Sequence, residues 1–173
     1  MYFRSLTSSS SFVAAAEKYD VFMSFRGEDT RNGFTGHLHE ALRQKNIFTY
    51  INHWLEREDE IAPGLLKAIE RSKIALVIVS KDYASSTRCL KELVHILGCK
   101  KSYRQIVIPI FYRIDPLDVR KQQGTYALED RPLESSRHDA LKEAADIVGY
   151  MAGFHYSSKT GYTKSLTCIN FFL

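Results

Sequence analysis

The sequence has no apolar run approaching the roughly 20 residues that a membrane-spanning helix needs. Its three cysteines, Cys89, Cys99 and Cys168, form neither a CxxC pair nor an even-numbered disulfide framework. Cys89 and Cys99 share one helical stretch and stand ~15 Å apart by helical rise, beyond disulfide reach. Such usage suits a reducing compartment. The six histidines show no HExxH or mixed His/Cys spacing, so no metal is expected. Neither sign of charge dominates, since 24 Lys and Arg stand against 20 Asp and Glu, for a formal net charge of +4. The densest basic stretch, Lys100, Lys101 and Arg104, reads as a solvated connection rather than a phosphate track, and no nucleic-acid partner is expected. Phosphate-binding glycine loops are missing too. SFRGEDT follows the first strand where GxGxxG or GxxxxGK[ST] would stand, which excludes a dinucleotide fingerprint and a P-loop. A charged RGED is a poor flavin phosphate loop, and Ser80-Lys81 occupy the place where a phospho-receiver needs an aspartate.

What is present is an alternation of strand and helix signals in 173 residues, enough for one domain with a real core. Residues 1–17 are Ser-rich with no acid before Glu17. They lack the amphipathic arginine pattern of a transit peptide and are expected to be a disordered leader. YDVFMSF (Tyr19 to Phe25) reads as the first strand. Thr30 is placed to cap a helix with an apolar stripe at Phe34, Leu38, Ala41 and Leu42. Gly33 and Gly36 weaken that helix by roughly 1 kcal/mol each relative to alanine. IFTYI (Ile47 to Ile51) is the second strand. A polar connection from Asn52 to Glu60 follows, carrying Trp54 and five consecutive charged residues from Glu56. Exposed loops of this length are often functional.

Pro63 suits the first turn of a helix containing Leu65, Leu66 and Ile69. IALVIVS (Ile74 to Ser80) is an apolar, β-branched run of the kind buried on both faces of a sheet. Ser86 or Thr87 can cap the next helix, with Leu90, Leu93, Val94 and Leu97 as its stripe. IVIPIF (Ile106 to Phe111) is the fourth strand, and Pro109 favours an edge or a bulge there. Tyr112 to Gly124 reads as a loop with a turn at Asp115-Pro116. Leu141, Ala144, Ala145 and Val148 mark a last helix. GYMAGFHY is a candidate short fifth strand, and residues 157–173 have no helical period. The domain is expected over residues 18–156. Alternating units of this size imply a parallel sheet with helices on both faces.

In such sheets ligands bind at the carboxyl ends of the strands, where the βα loops and helix starts lie. Glu92, early in the helix after the third strand, is a carboxylate at such a place, although a solvated helix glutamate would look the same in sequence. Arg26, at the mouth of the first strand, can pair with a ligand phosphate or with Glu28 or Asp29.

Several motifs in fixed order are more specific. YDVFMSFRGEDTR, FTGHLHEAL, LLKAIERSKIALVIVSKDYASS, CLKEL and VIPIFYRIDPLDVRKQ together resemble the plant type of Toll/interleukin-1 receptor (TIR) domain. The resemblance implies a flavodoxin-like three-layer α/β fold, with a parallel sheet of four to five strands in the order 2-1-3-4-5. It implies NAD+ as substrate, cleaved to nicotinamide and ADP-ribose or cyclic ADP-ribose in plant immune signalling. By the same resemblance Glu92 of CLKEL is the catalytic residue, Arg26, Gly27 and Arg88 contact the dinucleotide, and no metal is required. Other TIR domains are the expected partners through the first helix around His37. The expected location is cytoplasmic, with nuclear entry left open.

The chain also departs from the family pattern. Arg88 stands where the family usually has a tryptophan that can stack on the ligand. The loop after the second strand reads INHWLEREDEI, one residue shorter than usual and without its glycine. Gly36-His37 replaces a Ser-His pair. The family's final helix is missing, so a C-terminally truncated product is expected. These departures keep a second reading open, a non-catalytic TIR adaptor or decoy that acts by TIR–TIR association.

Overall fold

The computed structural model describes residues 19–51, 61–127 and 135–150, with side chains of the last stretch through Ile147. Residues 1–18, the Asn52 to Glu60 connection and residues 157–173, on which several sequence expectations fall, lie outside the described residues.

Among the described residues, four parallel strands form one sheet in the order β2-β1-β3-β4. They are β1 (Tyr19–Phe25), β2 (Thr49–Ile51), β3 (Ser72–Val79) and β4 (Ile106–Phe111). The central pair, β1 and β3, is buried on both faces, as its largely apolar runs require. The strand period of two sorts their side chains. Val21, Met23 and Phe25 pack with Ile74, Leu76 and Ile78 on one face. Phe22 packs with Ala75, Val77 and Val79 on the other.

The helices are α1 (Gly27–Thr30), α2 (Gly36–Gln44), α3 (Pro63–Glu70), α4 (Thr87–Tyr103), α5 (Pro116–Lys121) and α6 (Ser135–Tyr150). Leu38 and Leu42 of α2, with Phe34 just before it, cover the first face. Helices α3, α4 and α6 cover the second through Leu65, Ile69, Leu90, Leu93, Leu141 and Ala144. Helices therefore lie on both faces, as expected.

Several local readings need correction. Thr30 does not cap the helix after it; its hydroxyl donates to the Arg26 carbonyl at 3.3 Å and accepts from Thr35 at 2.8 Å. The single helix expected there is two, joined by a wide π-type turn over Arg31–Thr35, with the backbone broken at Gly33 (φ −133°, ψ −112°). The Tyr112 to Gly124 loop contains α5, whose N-cap Asp115 accepts from the Leu117 N–H at 2.9 Å. A proline at the first helical position and an aspartate cap start a helix as readily as a turn. Gly149 and Tyr150 of the candidate fifth strand belong to α6, and the rest of that segment lies outside the described residues.

The sequence favours an edge or a bulge for Pro109. Among the described strands β4 pairs only with β3. The Tyr112 N–H donates to the Val79 carbonyl at 2.9 Å, so by the strand period residues 110 and 108 also face β3. Pro109 falls on the alternate, outward set, where the missing N–H breaks no bond to β3.

Candidate functional site

The site is built at the carboxyl ends of β1 and β3. Ser24 is a polar side chain of β1 on the face that α4 covers, and it is fully buried. Ser86 caps α4 by accepting from the Cys89 N–H at 3.3 Å, which fixes where the helix begins and so where its second turn lies. That turn carries Glu92, which is 2% exposed and turned toward the sheet, not solvent. The solvated-glutamate alternative is excluded.

Glu92 Oε2 lies 2.7 Å from Ser24 Oγ, and Ser24 Oγ lies 2.9 Å from the phenol of Tyr83. Tyr83, from a short 3₁₀ turn (Tyr83–Ser85), is fully buried and donates to the Cys89 carbonyl at 3.0 Å. On the other side, Arg88 Nε approaches Glu92 Oε1 at 3.3 Å, one helical turn away on the same face of α4. This is an ion-pair contact without hydrogen-bond alignment, since that Nε is buried without a hydrogen-bond partner. The Arg88 side chain is 13% exposed against 3% for Glu92, so it reaches nearer to solvent than its partner does.

The environment acts strongly on the carboxyl. Burial pushes Glu92 up to about 7, against the opposing pull of the Ser24 hydrogen bond and the Arg88 charge. Burial likewise pushes the Cys89 thiol up to about 12, with the Glu92 charge adding to it, so Cys89 is a neutral thiol here and not a nucleophile. The Tyr83 phenol is raised well above its ordinary value, chiefly by burial.

Arg26 lies at the same end of the sheet but is engaged elsewhere. Its guanidinium pairs with Glu28 and, at 2.6 Å, with Asp29, the internal arrangement that the sequence left open beside a phosphate contact. Burial works against its charge, but the Asp29 hydrogen bond and the surrounding carboxylates outweigh that, and its pKa is raised. Asp29 also accepts from the Ser80 hydroxyl and from the Asp82 N–H at 3.3 Å, tying the loop after β1 to the loop after β3. Gly27 opens α1, where an added Cβ would meet only the movable Arg31 guanidinium, at 2.9 Å. The structure thus joins Glu92 to Arg88 and ties Arg26 into a separate network. His37 is exposed on α2, on the opposite face of the sheet from α4.

Sequence reasoning missed Ser24 and Tyr83, and of Asp29 and Ser80 it missed that they bond to each other. Ser24 had a signal: a hydroxyl inside a strand otherwise apolar from Val21 to Phe25 needs a buried partner. Tyr83 had none, because a tyrosine in a polar turn looks exposed.

The family model described as TIR domain matches residues 18–165. The chain belongs to the TIR-domain family. This TIR chain is 45% identical over 153 residues to the disease resistance-like protein DSC1 of Arabidopsis thaliana, covering 82% of the chain and 12% of that protein. It is 44% identical over 156 residues to the disease resistance protein RPV1 of Vitis rotundifolia, covering 86% of the chain and 11% of that protein. It therefore spans about an eighth of the length of these relatives. The TIR domains of the activated Roq1 resistosome, solved with recognition of the pathogen effector XopQ, superpose with a TM-score of 0.73 at 40% identity. That match covers 88% of this chain and 96% of the solved one. The four-stranded order 2-1-3-4 flanked by helices is the TIR fold. Among the described residues, no helix is long and apolar enough to cross a membrane and no His, Cys, Asp and Glu cluster is suited to a metal.

Proposed function

We propose that this TIR domain cleaves NAD+ to nicotinamide and ADP-ribose or its cyclic form, as a signalling step in plant immunity, with Glu92 as the catalytic residue. The observation that carries the reading is a carboxyl held at the sheet's carboxyl end, buried, hydrogen-bonded and tuned to titrate near neutrality. In NAD+ the leaving group is a pyridinium that departs as neutral nicotinamide, so no general acid is needed. One carboxylate then suffices to stabilise the oxocarbenium-like sugar and hold its hydroxyls.

Arg88 pairs with Glu92 Oε1, and in this reading the cationic ribose of NAD+ competes for that same oxygen. Its guanidinium must swing away for substrate to enter, after which it can stack on a base or meet a phosphate. Arg26 becomes a phosphate ligand only by exchanging Glu28 or Asp29 for the dinucleotide. Assembly with other TIR domains, through α2 around His37, is the step we expect to open the site. The test is NAD+ turnover at high protein concentration. Turnover that climbs more steeply than protein concentration and vanishes in Glu92→Ala supports the proposal, whereas equal turnover by that variant overturns it.

The closure of Glu92 behind Arg88 also favours a second reading, a non-catalytic partner acting through TIR–TIR association. Under it, the chain binds another TIR domain while wild type and Glu92→Ala alike leave NAD+ intact.

A further inference from the structure

Four oxygens stand in a row through the interior: Glu92 Oε2, Ser24 Oγ, the Tyr83 phenol and the Cys89 carbonyl. Their successive separations are 2.7, 2.9 and 3.0 Å, each a hydrogen-bond distance. Three contacts need three protons. Ser24 and Tyr83 supply one each, and the carbonyl supplies none. With Glu92 ionised, Ser24 donates to it, and Tyr83 donates either to Ser24 or to the carbonyl. One pair of oxygens is then left facing each other without a proton. With Glu92 protonated, every contact is filled: Glu92 donates to Ser24, Ser24 to Tyr83, and Tyr83 to the Cys89 carbonyl.

We infer that Tyr83, acting through Ser24, is a positioning residue that holds a proton on Glu92 in the ligand-free domain, so that the carboxyl is kept neutral until a cation arrives. The inference deepens the reading of Glu92 as the reacting carboxylate and rests on it for its meaning in catalysis, but not for its test.

The surroundings agree. Ser24 of β1, Tyr83 of the 3₁₀ turn, and Arg88 and Cys89 of α4 itself bear on Glu92. Cys89 is a neutral thiol, its Sγ 3.5 Å from the Phe25 carbonyl. On the elements packed against α4, Glu70 of α3 pairs with His95, and Glu143 and Asp146 of α6 pair with Lys100, Lys101 and Arg120. The sheet presents Ala75, Val77 and Val79. Arg88 alone favours the ionised form by charge, and its contact is long and poorly aligned. A ligand cation that displaces Arg88 and binds Glu92 more closely takes the carboxylate form, and the Glu92 proton leaves to solvent.

The measurement is the protonation state of Glu92 in the free protein, from the infrared carboxylic-acid stretch, assigned by difference against Glu92→Gln and followed between about pH 5 and 9. We expect the acid band in wild type at the low end, fading through neutrality. Tyr83→Phe removes one oxygen and both of its contacts, so ionised Glu92 with Ser24 donating becomes fully paired. The midpoint should fall by about one pH unit, the scale of a single hydrogen bond. Ser24→Ala removes the only hydroxyl that can donate to the carboxylate, and its midpoint should stay or rise. Opposite directions in two conservative variants are not what a merely structural role produces, and the second variant decides the matter if the first does not fold. An ionised Glu92 throughout that range in wild type overturns the inference. So does a midpoint unmoved or raised in Tyr83→Phe, or lowered in Ser24→Ala. If the band behaves as described while NAD+ is never cleaved, the proposed activity fails and the proton inventory stands.

Discussion

At the scale of single residues the chemistry turns on Glu92 and the two groups that oppose each other at it. Burial favours the neutral acid; Arg88 favours the carboxylate. Since the carboxylate is the form that stabilises a cationic sugar, NAD+ turnover should rise with pH through about 7 and level off above it. A flat or falling profile over that range would contradict the assignment. Replacing Arg88 has two effects. Loss of its charge moves the profile of Arg88→Trp to higher pH, because a cation that steadied the carboxylate is gone. On the plateau the same variant should turn over NAD+ faster, because a competing cation no longer occupies the site. The contact is long and lacks hydrogen-bond alignment, so the gain should be modest, no more than about ten-fold, the equivalent of roughly 1.4 kcal/mol. A plateau rate equal to wild type or lower, in a folded variant, would count against the blocking role of Arg88.

At the scale of elements, the break between α1 and α2 is where the chain departs most from a regular helix. A Cβ at Gly36 would stand 2.7 Å from the Arg31 carbonyl oxygen, a backbone atom that cannot step aside alone. The π-type turn over Arg31–Thr35 exists in this form because residue 36 has no side chain. Gly36→Ser, which restores the serine usual in the family, should therefore cost about 1–3 kcal/mol unless the turn tightens. Chemical denaturation checks the cost. An unchanged midpoint would mean that the turn relaxes freely toward an ordinary helix. The turn also leads into the α2 face around His37, so the same variant tests how far this departure bears on association with other TIR domains.

At the scale of the whole molecule, the raised Glu92 pKa makes stability depend on pH. The group's ordinary value is 4.5 and its folded value about 7, so between them the folded state binds more protons than the unfolded one. Stability should then be greatest below about 4.5, so far as this group is concerned, and fall as pH rises toward and past 7. The loss amounts to a few kcal/mol at most. Thermal unfolding of wild type and Glu92→Gln across that window isolates the term, because the variant lacks the titration. If both lose stability in parallel as pH rises, Glu92 is not the group responsible.

The sheet was legible in the chain because its signals are local. Largely apolar runs with period-two sorting define β1, β3 and β4, and alternation with helical stripes leaves a parallel sheet as the way to bury them. The family, and Glu92 within CLKEL, were legible too, since ordered motifs survive as strings of letters. What remained hidden depends on distance through space. Ser24 and Glu92 are 68 residues apart, Ser24 and Tyr83 are 59, and Asp29 and Ser80 are 51. No periodicity couples such positions. Whether Glu92 met water or hydroxyls was decided by packing α4 on the ends of β1 and β3, and the pairing of Arg26 with Asp29 by the loops that follow those strands. Only that packing removes water from the carboxyl, and without the removal of water a glutamate on a helix is an ordinary surface charge.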